Sequence, residues 1–503
     1  MSPTTSIWMA STAAEPLTAA LPTRTSVDVC VVGAGMAGLS TAYHLIRGGA
    51  RVLVLDQGPI GAGETGRTTA HLASALDDRF HVLEKMHGAE GARLAAESHA
   101  AAIDSIERIA RTEDIACDFA RVDGYLVAAR PRDAGQLDDE LAAAARAGLA
   151  VDKVPQPAWS WLDTGPCLRF RHQAEFHPLR YVRGLAHVIT RLGGSIATGV
   201  RAVRIDGGKR CRVFTADRRE IDAGAVIVAT NSPIHGVVAV HAKQAAFRSY
   251  VVAFEVPAGA IPHALVWDTD DPYHYLRVAR ADRSEVEWLV VGGEDHRTGQ
   301  ADDGEDRFTR LESWTRERFA MAGAVARRWS GQILEPADGL AFIGPSPGLN
   351  PNLYLTTGDS GNGLTHGALA GLILSDLVLG RANPWSALYD PSRVKPRSLG
   401  DLVRENLNTA AQYADWVTPG DGATDAIPAG GGAVVRRGLH KIAVHRDEGG
   451  ALHAMSATCP HLGGIVAWNS TEKTWDCPCH GSRFDATGRV LCGPSRRDLP
   501  RER

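Results

Sequence analysis

A glycine-rich turn between an apolar strand and a helix constrains this chain more than any other feature. Residues 27–32 are a mostly apolar run suited to a buried parallel strand. Gly33-Ala34-Gly35-Met36-Ala37-Gly38 follows, then a helical stretch over 39–47; a second apolar run, 51–55, ends in Asp56, 21 residues beyond Gly35. Gly33 permits the tight turn, Gly35 lets the backbone approach a pyrophosphate, and Gly38 lets helix and strand pack closely. The helix start at Met36 and Ala37 offers amide donors and partial positive charge to phosphate. Asp56 is placed to accept a hydrogen bond from a ribose hydroxyl. A glycine turn without a ligand is the competing reading. Strand, helix and acid all fall where a dinucleotide needs them.

The 503 residues carry 54 Lys+Arg against 58 Asp+Glu, a net charge of −4. That balance supplies no basic face for nucleic acid. No apolar run is long enough for a membrane-spanning helix. Residues 1–26 lack a charged start followed by an apolar core, and they read as a short ordered or frayed lead-in to a cytoplasmic chain. Eight cysteines are too few for a disulfide framework, and four crowd into the last 50 residues, a pattern that points first to metal.

Composition shifts divide the chain. The strand–glycine–helix pattern of the start returns near residue 338. Residues 80–150 are Ala-rich and charged, with Ile103, Ile106 and Ile109 at helical spacing, and read as long surface helices. The expected division is dinucleotide binding over about 27–80, 180–240 and 335–395, and a substrate-side cap over 81–179 and 241–334. A helix and a Pro/Gly-rich linker fill 396–432, and a small strand-rich domain fills 433–503.

Further glycine and hydroxyl segments flank the first motif. Residues 61–69 include Arg67, Thr68 and Thr69. Near the far end, 338–344 includes Gly344, and 357–367 includes Gly361, Asn362, Gly363, Leu364 and Thr365 before another helix. With Val200 and the Ala229-Thr230-Asn231 segment, residues 27–390 resemble the D-amino acid and glycine oxidase type of FAD-dependent oxidoreductase. The resemblance implies an α/β FAD-binding domain of the Rossmann-like, glutathione-reductase type with an α+β substrate domain. It places the early loop on pyrophosphate and flavin, and the late loop against the isoalloxazine ring. His71 lies in the flavin-proximal loop, one position out of register with the histidine through which some relatives attach FAD. Tyr273, Tyr275 and Arg277 alternate, so a strand would turn them to one side. There they would meet a substrate, Arg277 through a carboxylate; the competing reading is an ordinary sheet surface. His366, in the late loop, would contact flavin or substrate, or bond locally.

Cys459-Pro460-His461 is followed after 15 residues by Cys477-Pro478-Cys479-His480. Two Cys and two His in this order form the Rieske [2Fe–2S] pattern, with both thiolates on one iron and both imidazoles on the other. Zinc is the competing occupant. The surrounding Pro-His-Leu-Gly-Gly and Pro-Cys-His-Gly-Ser sequences resemble Rieske loops in a small all-β domain. Two departures from respiratory Rieske proteins follow from that resemblance. The partner of their loop-tying disulfide is Gly464 here, leaving Cys479 a free thiol. Phe484 stands where they carry Tyr, although Ser482 is retained. Fewer hydrogen bonds to sulfur imply a lower potential.

A chain with both cofactors is expected to oxidise an amine or amino-acid-like compound through FAD and release single electrons through the cluster to an acceptor protein. The alternative is an NAD(P)H-fed reductase serving an oxygenase, although only one strand–GxGxxG–helix unit is present. A self-contained oxygenase would need Asp78, His81 and His87 to converge on an iron, and they read better as a helix surface. A non-enzymatic electron carrier would leave the long middle segment unexplained.

Overall fold

The structure, a computed structural model, describes residues 4–12, 21–159, 165–235, 238–348 and 350–502. Two large sheets and two small ones organise them. The first large sheet is built on Arg24–Val32, which pairs in parallel with Val52–Leu55 on one side and Glu220–Val228 on the other. Ser195–Ala197 and Leu353–Thr357 extend it in parallel. Its strands read as continuous apolar runs because both faces are covered. Val29 and Val31 pack into the core shared with helices Met36–Arg47 and Gly363–Val378, while Cys30 and Val32 pack into a second core beneath strand Cys211–Thr215.

The second large sheet has nine strands. Gln244–Pro257 lies between Val325–Pro336 and Val286–Arg297, and the order continues through Tyr275–Arg280, Leu265–Asp268, Ala120–Val127 and Cys167–Glu175. The helical expectation for 80–150 needs correcting at Ala120–Val127. That segment is a strand, because its Tyr125-Leu126-Val127 end is buried between two neighbouring strands. Helices Phe80–Thr112 and Ala134–Arg146 flank it, the first broken at Gly88. Ile103, Ile106 and Ile109 are buried core, so only the opposite face of that helix is a surface.

The C-terminal region holds a three-stranded sheet, Gly432–Arg437, His440–Arg446 and Leu452–Ser456, and a four-stranded one, Ala467–Asn469, Thr474–Asp476, Arg483–Asp485 and Val490–Cys492. Helix Leu399–Ala411 and the turn Gln412–Trp416 lead into it.

A buried ion triad joins this region to the rest. Glu472, 1% exposed, accepts from Arg248, which is fully buried, and lies 3.7 Å from Arg67. Ser330 bonds both Arg248 and Glu472. The N-terminal residues reinforce the same junction. Thr4 Oγ1 donates to Glu472 at 2.6 Å, and Trp8 Nε1 donates to the Thr68 carbonyl at 2.7 Å.

Candidate active site and cluster site

A cavity of about 1480 Å³ runs between the two large sheets. That volume exceeds the ~300–1,000 Å³ of ordinary ligand pockets, leaving room for a dinucleotide and a substrate together. One end is the glycine turn. Gly33 has φ +115, and a β-carbon there would collide with the Ala229 carbonyl oxygen; one on Gly38 would collide with the Gly33 carbonyl. Only glycines let these backbones close so tightly. Asp56 accepts the Ala34 amide at 2.6 Å and the Gly58 amide at 2.8 Å. Burial raises its pKa against the pull of those two bonds. Its remaining lone pairs suit a ribose hydroxyl.

Of the residues expected to hold FAD, Gly33, Gly35, Met36, Ala37, Asp56, Arg67, Thr68, Thr69, Val200, Gly361, Asn362, Gly363 and Leu364 line the cavity. Gly38, Gly344 and Thr365 do not. Gly38 packs helix on strand, and a β-carbon on Gly344 would stand 2.9 Å from Pro391 Cδ. Thr365 is buried within its helix. Arg67 reaches the cavity wall but spends its guanidinium on the Ser330 carbonyl and Thr4.

At the other end, Tyr273 and Tyr275 line the cavity with ring centroids 5.3 Å apart. The Tyr273 hydroxyl donates to Asp77 Oδ2 at 2.7 Å, and the Tyr275 hydroxyl bonds Ser249 Oγ at 2.5 Å. Arg277 does not join them. Its guanidinium donates to the Ala70 carbonyl at 2.6 Å, lies 3.8 Å from Glu175, and is 3% exposed. Tyr273 lies before strand Tyr275–Arg280, so the expected three-residue alternation reduces to Tyr275 and Arg277, and the Ala70 carbonyl, at the entry to strand His71–Leu72, takes up the Arg277 guanidinium away from the cavity.

His71 lines the cavity with Nδ1 bonded to Thr69 Oγ1 at 3.0 Å and its ring edge-on to Tyr275. Burial pulls its pKa to about 3, so the ring is neutral. His366 both lines the cavity and bonds locally, Nδ1 to the Asp359 carbonyl at 2.9 Å.

Sequence reasoning missed the carboxylates. Asp77 lines the cavity, and a β-carbon on Gly361 (φ +74) would overlap its Oδ2, so the late glycine loop is shaped around this acid. Asp295 sits behind Ser249, with Oδ1 buried and unpartnered. Burial pushes Asp295 and Asp78 up to about 7 and Asp359 up to about 6, and repulsion from Asp77 adds to each shift. Burial raises Asp77 against the pull of the Tyr273 bond and of Arg79, and burial raises Glu335 with repulsion from the neighbouring aspartates added. The available signal was the Asp77-Asp78 doublet closing the otherwise small and apolar stretch 70–76.

The cluster residues come from two loops of matching backbone. The Cys459 amide donates to the Gly464 carbonyl and the Cys477 amide to the Ser482 carbonyl, each at 2.8 Å and five residues on. The Cys459 and Cys477 thiols lie within hydrogen-bonding reach of each other. The rings of His461 and His480 are 5.1 Å apart and nearly perpendicular. His480 Nδ1 is buried without a hydrogen-bond partner, as a nitrogen reserved for iron would be. Among the described residues no three His, Cys, Asp or Glu converge as one ion would require. With the two thiols beside each other and the two imidazoles beside each other, the four residues fit a two-iron cluster with sulfurs on one iron and imidazoles on the other. His241, from the segment before strand Gln244–Pro257, stands 5.1 Å from the His461 ring and 6.3 Å from that of His480.

Asp78, His81 and His87 do not converge. They bond Ser360, Glu140 and the Asp338 carbonyl respectively.

A glycine cradle under a roofing sheet, beside a two-loop Cys/His domain, defines a flavoprotein with a Rieske domain. The chain belongs to the FAD dependent oxidoreductase family (DAO), whose pattern it matches over residues 28–377, and residues 421–501 match the Rieske [2Fe-2S] domain. It is 32% identical to YhfW of Bacillus subtilis (strain 168), named for a Rieske 2Fe-2S iron-sulfur protein, across 95% of this chain and 94% of that one. It is 26% identical to the gamma-glutamylputrescine oxidoreductase of Escherichia coli (strain K12), across 72% and 85%. The fold is shared with glycine oxidase from Geobacillus kaustophilus at a TM-score of 0.60 and 16% identity, covering 74% of this chain and 99% of that one. No helix among the described residues is long and apolar enough to cross a membrane.

Proposed function

We propose that this protein oxidises the C–N bond of an amine or amino-acid-like substrate and passes the electrons out one at a time to an acceptor protein in the cytoplasm. FAD in the cavity would accept a hydride, and the [2Fe–2S] cluster would carry single electrons. On this reading residues 27–395 form the flavoprotein, 433–503 the Rieske domain, and Cys459, His461, Cys477 and His480 the cluster ligands.

The observation that carries the reading is the cavity's substrate end. Tyr273 and Tyr275 face it, Asp77 lines it, and Arg277 is turned away. An aromatic wall with an acid suits a cationic nitrogen. Burial raises the Asp77 pKa, so its carboxylate can take a proton from an arriving ammonium at Oδ and leave the nitrogen lone pair free. The Tyr273 hydroxyl holds that carboxylate in place. The name of the Escherichia coli relative supports an amine substrate. For electron exit, the support is His241, which sets the imidazole side of the cluster site against the flavoprotein.

The test is anaerobic absorption and low-temperature EPR on protein loaded with FAD and iron. Amines, amino acids, NADH and NADPH are added separately. Flavin bleaching by an amine, followed by a Rieske-type EPR signal, is the expected result. Bleaching by NAD(P)H alone would overturn the proposal in favour of a reductase.

A further inference from the structure

The dinucleotide end of the cavity is not closed by the flavoprotein part alone. The hairpin Arg483–Asp485 and Val490–Cys492 of the C-terminal domain, with the turn through Arg496, forms its outer wall. Three contacts seat that wall. Gln57, next to Asp56, donates from Nε2 to the Leu491 carbonyl at 2.7 Å. Arg201, next to Val200, pairs with Asp498 at 2.6 Å. A β-carbon on Gly493 would stand 3.0 Å from both Ile234 Cγ2 and the Ser232 carbonyl oxygen, so backbone lies on backbone there. Two of the three anchors thus neighbour residues expected to hold the adenosine half of FAD.

Charge points the same way. A diphosphate brings two negative charges, whereas the glycine turn and helix start answer with amides and a partial charge. Several cavity arginines are already committed: Arg67 to the Ser330 carbonyl, Arg201 to Asp498, and Arg483 to Asp476 at 3.1 Å. Arg496 lines the same cavity, is exposed, and makes no side-chain hydrogen bond or ion pair among the described residues. Its planar fork suits phosphate oxygens.

We propose that the Rieske domain is itself part of the FAD site: the hairpin closes over the adenosine-diphosphate half, and Arg496 donates to the diphosphate. This rests on the reading of the cavity as the FAD site. Because the wall belongs to one domain and the cradle to the other, FAD binding and Rieske docking stabilise each other by the same factor.

The test uses the full chain with its cluster intact, stripped of FAD and titrated with FAD by flavin fluorescence. Arg496→Glu is expected to weaken FAD binding at least tenfold with unchanged cluster absorbance, and Arg496→Lys to recover most of the loss. Asp498→Asn, which unseats the hairpin without removing a cation, is expected to weaken binding severalfold. In the parent, FAD is expected to raise the temperature at which cluster absorbance is lost. FAD affinity within twofold of the parent in both Arg496→Glu and Asp498→Asn would overturn the inference. A parent chain that binds no FAD would instead overturn the reading of the cavity.

Discussion

A β-carbon placed on Gly464 would lie 2.5 Å from Sγ of Cys479. The two positions face each other across the cluster loops, where respiratory Rieske proteins, by resemblance, carry a disulfide. All eight cysteines here are unpaired. The helix leading into the domain ties the loops in other ways. The Tyr413 hydroxyl donates to the Leu462 carbonyl at 2.7 Å, Trp416 Nε1 donates to the Gly463 carbonyl at 2.9 Å, and Thr409 reaches the Cys479 carbonyl.

Gly464→Ala should therefore overpack the loops, destabilising the domain by about 1–3 kcal/mol and speeding loss of cluster absorbance on heating. Adding Cys479→Ala removes the obstructing sulfur and should restore much of the loss. A single variant that keeps its cluster as long as the parent would contradict this.

Ser482 lies within hydrogen-bonding reach of the Cys459 sulfur, and Phe484 is fully buried in the same apolar cluster as Cys459 and Cys477. Hydrogen bonds to sulfur stabilise the reduced cluster. Ser482→Ala should lower the potential and Phe484→Tyr should raise it, both read by redox titration followed by EPR. The parent's potential should fall below that of respiratory Rieske proteins.

Asp77→Asn keeps the shape of the cavity and removes its negative charge. A hydrogen bond to a charged group is worth about 1.5–3 kcal/mol, so KM for an amine substrate should rise roughly tenfold to a hundredfold. The expected signature is a flatter dependence of kcat/KM on pH. An unchanged KM and pH profile would remove Asp77 from substrate binding.

Asp295 shows how burial links to stability. Its carboxyl titrates near 7 in the fold because burial penalises its charge, against a reference value of 3.8. The folded state therefore holds more protons than the unfolded one between those values, and this group's contribution falls as pH rises from about 4 to 7. Asp295→Asn should accordingly melt above the parent, with an advantage that grows over that window and then levels off. Thermal melts of the FAD-free chain at a series of pH values check it. A constant difference across the series would contradict the shift.

Local patterns were legible because the chemistry fixes their spacing. Gly33 and Gly38 announce a strand–turn–helix unit that no other residues could close, and Cys459, His461, Cys477 and His480 sit in two loops of matching local hydrogen bonds. Strand alternation relates Tyr275 to Arg277, whereas Tyr273 stands just before the strand and lines the cavity from the preceding segment. Arg277 shares the Tyr275 face, but alternation says nothing of where a cavity ends along a strand, and the approach of Ala70 is a contact across 207 positions. Asp77, Ser249 and Asp295 reach the site from separate elements, so no periodicity marks them. Ala120–Val127 was hidden among Ala-rich helices because its partners, Leu265–Asp268 and Cys167–Glu175, lie far off in the sequence.

The Arg67–Glu472–Arg248 triad has a consequence for motion. Removing the Glu472 carboxylate would strand the wholly buried Arg248 guanidinium, and breaking a desolvated pair in this way costs about 3–5 kcal/mol, so the domain is held where that pair can form. On the proposed electron route such a domain would be a fixture and not a ferry, and an acceptor would have to travel to it.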